Sequence, residues 1–463
     1  MTSLRFTWSI TNFTPYGGSV KRIGILVGLS AVAAGISVAP GMGATQQPAQ
    51  RAGDYIVVLK DSAAKGAAVD PTSVVDGMNG VTVDSVYRST VRGFSAKLTP
   101  EAVHALRTDP KVAYVERDGS TRMPVTKADR GGSEGVAGQQ VPNGVKRVGA
   151  TQNKALKVGD GVDQRVDVDV AVLDTGVDKS HPDLNVVRSV NCSGVKKCVD
   201  NSGADGDGHG SNVAGVIGGL DNKIGYTGVA PGARLWSLKI LNDDGSGNSS
   251  ELVAGLDWVT AHSDKIEVAN ISAGYDDSSN AVKQAVDRAV AKGVVVVVSA
   301  GNERKDVKNA KYHTPADVPD AITVSALSDA DGKPGGKGEY GWCNKKNRNK
   351  DDSLWIDHVN GGGSDFGRGV DIAAPGDCIQ STFKNGEYSN YSGTSQAAPH
   401  VAGAAAWLAS GGNDPKNRAD VMAIRATILK AGNSGWTDNS NDGVKEPLLD
   451  LHDPKIFKGT FTK

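Results

Sequence analysis

Beyond residue 140 short valine-rich runs alternate with segments of helical periodicity, and this alternation limits what the chain can fold into more than any other feature of it. The runs at 168–173, 235–240, 268–271, 294–298 and 322–324 are mostly apolar, 294–298 being unbroken valine, the pattern of strands covered on both faces. Between them Leu252, Val253, Leu256 and Val259 recur at helical spacing, and Val282, Val286 and Val290 do the same in a helix that stops at Gly293. Such alternation predicts an α/β fold with a doubly wound, mostly parallel sheet, whose ligands bind beyond the carboxyl ends of the strands.

A second unit precedes it. Residues 54–117 hold the run Tyr55-Ile56-Val57-Val58-Leu59, a helical stretch at 71–78, strand-like runs at 81–87 and 93–98, and a last strand at 112–115. A helix opens at Thr99-Pro100-Glu101, with Thr99 as cap and Pro100 at the first helical position. The order β-α-β-β-α-β predicts a small ferredoxin-like α+β domain. The segment after it, 119–140, is rich in Gly, Ser, Thr and charge, as an exposed, cleavable linker is.

Residues 23–39 are weakly apolar, follow Lys21 and Arg22, and end in small residues near Gly43 and Ala44. At about 17 residues the stretch is short for a membrane span and reads as a secretory signal, so the chain is expected to be secreted and extracellular, with no membrane span. An oxidising compartment makes Cys192, Cys198, Cys343 and Cys378 disulfide candidates, and no C-x-x-C zinc spacing is present. Cys192 and Cys198 are close enough to staple one loop, leaving Cys343 and Cys378, although four cysteines permit three connectivities. With 51 Lys+Arg against 52 Asp+Glu, no charge excess points to nucleic acid.

Three segments carry chemistry. Asp174 ends the first strand of the large unit in Asp174-Thr175-Gly176. His209 lies in Gly208-His209-Gly210-Ser211-Asn212, and Ser395 in Gly393-Thr394-Ser395-Gln396-Ala397-Ala398-Pro399-His400 at the start of a helix, with Pro399 early enough in it to be tolerated. Acyl transfer needs a hydroxyl, an imidazole to take and return its proton, and a carboxylate to orient the imidazole. A lone serine before a helix is usually a cap. The conjunction of all three, in the order Asp, His, Ser, is instead that of subtilisin, and the chain resembles the subtilisin-like serine proteases over most of its length.

The resemblance implies a self-processing secreted serine endopeptidase, monomeric, with no cofactor for catalysis, acting on proteins or peptides. Asn302, in Ala300-Gly301-Asn302, would donate to the oxyanion. Ser272, Ala273 and Gly274, with Ala300 and Gly301, would wall the substrate pocket, with His313 near its base. The resemblance divides the chain into a signal (1–44), an inhibitory propeptide (45–118), a linker (119–140) and the peptidase domain (141–463). It implies that the tail beyond Asp118 lies in the cleft beside Ser272 to Gly274, and that the mature chain begins near Gly138. A structural Ca2+ would be held by Gln139, Asp183, Asn222 and the carbonyls of Leu220, Ile224 and Tyr226.

Three positions depart from the family: Ser211 stands for Thr, Asn212 for His and Gln396 for Met, the last removing an oxidisable thioether beside the nucleophile. Residues 331–363 look like an insertion with no family role. His181 and His400 read as packing or capping residues rather than bases, and Asp205 and Asp207 as a solvated turn rather than a metal site. Two rival readings fail: an aspartic protease needs a second Asp-Thr-Gly or Asp-Ser-Gly, and an α/β-hydrolase places its Asp and His after the serine. A degenerate, non-enzymatic scaffold would be expected to lack one of the triad residues.

Overall fold

The computed structural model describes residues 52–60, 70–122, 138–276, 278–339, 349–358 and 360–462. The signal expected at 1–44, most of the expected linker and Cys343 lie outside them.

The N-terminal domain is a four-stranded antiparallel sheet, β2-β3-β1-β4, formed by β1 (Gly53–Leu59), β2 (Val81–Tyr87), β3 (Gly93–Leu98) and β4 (Val112–Arg117). Helix α1 (Pro100–Thr108) has the expected start: the Thr99 side chain accepts the N–H of Ala102 and Pro100 sits in the first turn. The helix expected at 71–78 is a short 3-10 turn, Pro71–Val75, ended by Asp76 in an extended conformation and by Gly77 at φ +73°. Strand β1 is apolar and buried from Ile56 to Leu59 because both its faces are covered there: Val57 and Leu59 join Phe94, Leu98 and Leu106 in the domain's own core, while Ile56 and Val58 belong to the core of the large domain.

After β5 (Ser120–Arg122) and α2 (Asn143–Arg147) comes the large domain, built on β6 (Asp169–Asp174), β7 (Val186–Asn191), β8 (Val199–Asp200), α3 (His209–Gly218), β9 (Arg234–Lys239), β10 (Ser246–Asn248) and α4 (Ser249–Ala261). It continues through β11 (Val268–Ile271), α5 (Asn280–Ala291), β12 (Val295–Ser299), β13 (Ile322–Ser328), β14 (Ser353–Leu354), β15 (Ile372–Pro375), β16 (Ile379–Thr382), β17 (Tyr388–Tyr391), α6 (Thr394–Ala409) and α7 (Arg418–Ala431). One sheet runs β14-β13-β12-β11-β6-β9-β7-β8, with β15 beside β13, and only its β13–β14 and β7–β8 pairs are antiparallel. Helices α3 and α6 pack on each other, α6 along β11, β12, β13 and β15, while α4 and α5 pair against β6 and β12. Helix α5 stops where Gly293 adopts φ +95°.

The small domain docks on α4 and α5 through carboxylates placed at helix starts. Asp118 accepts the N–H and hydroxyl of Ser250 in the first turn of α4, and Glu116 accepts from Ser279 Oγ and the N–H groups of Asn280 and Ala281 at the start of α5. In the opposite sense Asp257 of α4 holds the N–H groups of Ser89 and Thr90, and buried Tyr87 donates to Ser250 O. Cys192 and Cys198 form a disulfide, and Cys378 is also disulfide-bonded. No helix among the described residues is long and apolar enough to cross a membrane.

Candidate active site

Asp174 is the last residue of β6 and fully buried, and His209, which opens α3, donates from Nδ1 to its carboxylate at 2.8 Å (Oδ1) and 3.0 Å (Oδ2). Burial lowers the imidazole's pKa, but the charge and hydrogen bond of Asp174, helped by Asp207 and Asp205, outweigh it and leave His209 above its ordinary value. Asp205 is no solvated turn. It is 8% exposed and accepts from Thr175 Oγ1, from the N–H groups of Asp207, Gly208 and Ser211, and from Ser211 Oγ, so it buries its charge by capping the helix that begins with His209.

Ser395 is the second residue of α6, where unpaired N–H groups and the positive dipole end favour a developing oxyanion. Its hydroxyl donates to Ser272 O at 3.2 Å. Pro399 lies deeper than expected, at the sixth helical position; the N–H it lacks would have met Ser395 O, which accepts the Ser272 hydroxyl (2.9 Å) instead. Asn302 Oδ1 accepts the N–H (3.0 Å) and hydroxyl (2.9 Å) of Thr394, which leaves Nδ2 as the donating atom of that side chain.

His209, Ser395, Thr394 and Asn302 share a cleft of about 900 Å³ that also includes Ser272, Ala273, Gly274 and Gly301. Ala300 does not reach it. Its side chain is fully buried with Val307, Ala316 and Val370, and its neighbour Ser299 lines the cleft, because successive side chains of an extended segment point to opposite sides. Tyr312 stands in the wall where His313 was expected, the His313 ring being tied through Nδ1 to Ala310 O (2.9 Å). Asn360, Gly361 and Gly362 at the end of the insertion also line the cleft, a role that their Gly-rich sequence did not disclose. The buried departures pair with one another: Gln396 Nε2 donates to Asn212 Oδ1 at 3.2 Å. His181 and His400 are buried, and burial pushes His400 down to about 4.

The start of the expected linker is held in the same cleft. Strand β5 pairs antiparallel with β10, Thr121 opposite Gly247, and Thr121 lines the cleft. Among the described residues of that tail the partner strand is Ser246–Asn248, because the chain entering α4 at Asn248 is extended and offers its backbone groups for pairing. Residues 123–137, on which the expected place beside Ser272 to Gly274 also bears, lie outside the described residues. Ser120 O accepts the N–H of Asp276 (3.1 Å), and Gly119 O that of Ser249 (2.9 Å).

Away from the cleft, Gln139, Asp183 and the loop carrying Leu220, Asn222, Ile224 and Tyr226 come together. Gln139 Oε1 accepts from Lys223 N (2.6 Å), Gln140 N–H donates to Gly225 O, and Leu220 N–H donates to Asp183 O. Asp183 is fully buried, its Oδ1 has no hydrogen-bond partner among the described residues, and burial pushes it up to about 7. Asp329, Asp331 and Asp351 form another acidic group, beside which Arg147 pairs with Asp329 (3.1 Å) and Asp352 (2.7 Å).

A buried Asp–His pair and a helix-start serine at the carboxyl ends of a doubly wound sheet define a serine hydrolase. The Subtilase family model matches residues 166–447, and the Peptidase inhibitor I9 model matches residues 54–123. Subtilisin NAT of Bacillus subtilis subsp. natto is 33% identical over 380 residues, 82% of this chain and 86% of that protein, and an alkaline protease of Shouchella clausii is 34% identical over 342 residues, 73% of this chain and 75% of its own. The crystal structure of a cold adapted subtilisin-like serine proteinase superposes with a TM-score of 0.51 at 28% identity, covering 67% of this chain and 98% of that one. The chain belongs to the subtilase family: it is a serine peptidase preceded by an inhibitor-type domain.

Proposed function

We propose that the chain is the precursor of a secreted endopeptidase that hydrolyses protein substrates through an acyl-enzyme on Ser395. His209 takes the Ser395 proton as Oγ attacks the peptide carbonyl and returns it to the leaving amine, Asp174 holds the imidazole's tautomer and its cation, and Asn302 Nδ2 with the Ser395 N–H receives the oxyanion. To react, the Ser395 hydroxyl turns from Ser272 O toward His209. The observation that carries the reading is the Asp174–His209 pair at 2.8 Å, with His209 in the cleft shared by Ser395 and Asn302. The Cys192–Cys198 disulfide and the apolar run at 23–39 support export.

The same reading makes 45–118 an inhibitor that blocks its own enzyme: β5 occupies the substrate's place beside β10, and the chain is cut beyond it, within 119–140, to begin the mature enzyme near Gly138. A divalent cation fits the Asp183 site, where a buried carboxylate oxygen has no partner; Asp183, Gln139, Asn222 and the carbonyls of Leu220, Ile224 and Tyr226 would hold Ca2+, whose charge would stabilise the loop. In the full-length chain, Ser395→Ala should accumulate as uncut, inactive precursor. Normal processing of that variant in the absence of any other protease would refute the reading.

A further inference from the structure

A buried carboxylate behind the oxyanion donor takes no part in the triad. Asp365 follows the glycines that end the insertion and is fully buried. Its Oδ1 accepts the N–H groups of Glu303 (3.0 Å) and Lys305 (2.8 Å), and its own N–H donates to Gly301 O (2.9 Å). These bonds grip the chain immediately before and immediately after Asn302. Gly363 completes the hold: its N–H donates to Asn302 O (3.1 Å), and its carbonyl accepts from Arg304 N–H (2.8 Å). Gly362 has φ +128°, and a Cβ there would lie 2.6 Å from Asn302 O, so glycine is what lets this strand run so close. On the other side, Gly301 at φ +114° leaves room for Asp365 Oδ2, which a Cβ would meet at 2.2 Å.

Asp365 Oδ2 has no hydrogen-bond partner among the described residues, and burial raises the carboxyl to about 7. A bare buried oxygen destabilises the fold, so packing alone does not account for an acid at this position. Loop residues wander unless fixed, whereas an oxyanion donor works only from a closely defined place. Thr394 fixes the Asn302 side chain; its backbone has to be fixed as well.

We propose that Asp365 is a positioning residue for the hydrolytic reaction: by holding the backbone on both sides of Asn302, it sets where Asn302 Nδ2 meets the developing oxyanion. The proposal rests on the reading of Ser395 and Asn302 given above.

The test uses mature enzyme whose active sites have been titrated with a fluorophosphonate. Asp365→Ala should lower kcat by roughly 10- to 100-fold, a misplacement-sized loss, with KM little changed. It should weaken, by a similar factor, the binding of a peptide aldehyde, whose adduct with Ser395 carries an oxyanion, and leave the binding of the matching peptide carboxamide alone. Asp365→Asn keeps an acceptor at Oδ1 and should recover most of kcat. If Asp365→Ala does not fold, Gly362→Ala pushes on Asn302 from the same segment and should give the same pattern. An unchanged kcat per titrated site, or an unchanged aldehyde affinity beside a lowered Tm, overturns the proposal. A wild-type enzyme that neither takes the label nor hydrolyses peptides would instead refute the triad.

Discussion

The two domains solve the same problem differently. In the large domain the valine-rich strands β6, β11, β12 and β13 are buried within a sheet whose helices belong to the same domain. In the small domain one face of β1 lies on its own helix, and the other, with Ile56, Val58, Tyr87 and Val91, is buried only because α4 and α5 are there. Apart from its partner the small domain would expose that face, so its fold is completed by the domain it docks on. The polar contacts teach the same lesson. Asp118 and Glu116 sit on N–H groups of α4 and α5, and the only salt bridges of the small domain's described residues are internal to it, Arg88 to Asp70 and Lys97 to Asp54.

The sharpest way to separate the domains is at the oxyanion site. Asn302→Leu should cut kcat by roughly 100- to 1,000-fold, a range known from the oxyanion asparagine of a subtilisin itself and not calculated for this chain, and leave binding of the small domain nearly unchanged. Equal losses of both would break the separation. The converse substitution, Ile56→Asp, puts a charge on the shared face; a fragment of residues 54–122 carrying it should inhibit the mature enzyme roughly 100-fold less well, measured as Ki.

Smaller effects follow from pH. Docking buries Asp118 and raises it to about 7, with Glu251 and Asp54 also facing it. A carboxyl raised on docking binds its proton more tightly in the complex, so docking is strongest at low pH and weakens as pH rises toward about 7. Ki of the fragment should therefore increase between pH 5 and 8, and Asp118→Asn should flatten the trend. A Ki independent of pH would contradict this part of the account.

The smallest expected effect concerns the loop at Asp183. Its pKa is raised from 3.8 to about 7, so the ion-free fold loses stability as pH climbs through that interval, and a bound cation removes the loss. A chelator should lower the Tm of the mature enzyme by several degrees at about pH 8 and by less at about pH 5. Equal shifts at both, or none, would remove the cation from this site.

What the sequence disclosed depended on how local the determinant is. The five strands were legible because burial on both faces writes itself as a mostly apolar run, unbroken at 294–298, and Asp174, His209 and Ser395 because each lies in a short segment shaped by its own chemistry. Strand β7 was not, since Val186–Asn191 is buried only at Ser189 and Val190, and Arg188, Ser189 and Asn191 break its apolar run. Nor was β10, where Ser246-Gly247-Asn248 has no strand propensity and counts as a strand through its pairing with β5. Asp205 looked like surface because Asp205-Gly206-Asp207-Gly208 reads as a turn, whereas the turn folds back to cap its own helix and is joined by Thr175 from elsewhere in the chain. Asn360, Gly361 and Gly362 gave no signal at all, their place in the cleft being set by the return of the insertion onto Asn302.

The central claim is that Ser395 is the nucleophile of a peptidase held shut by its own N-terminal domain. It is tested most directly by treating the full-length chain and its processed product with a fluorophosphonate and mapping the label by mass spectrometry. The account predicts a single label, on Ser395, in the processed product, little label while the small domain is bound, and none in Ser395→Ala. A label on another residue, or full labelling of the uncut chain, would contradict it.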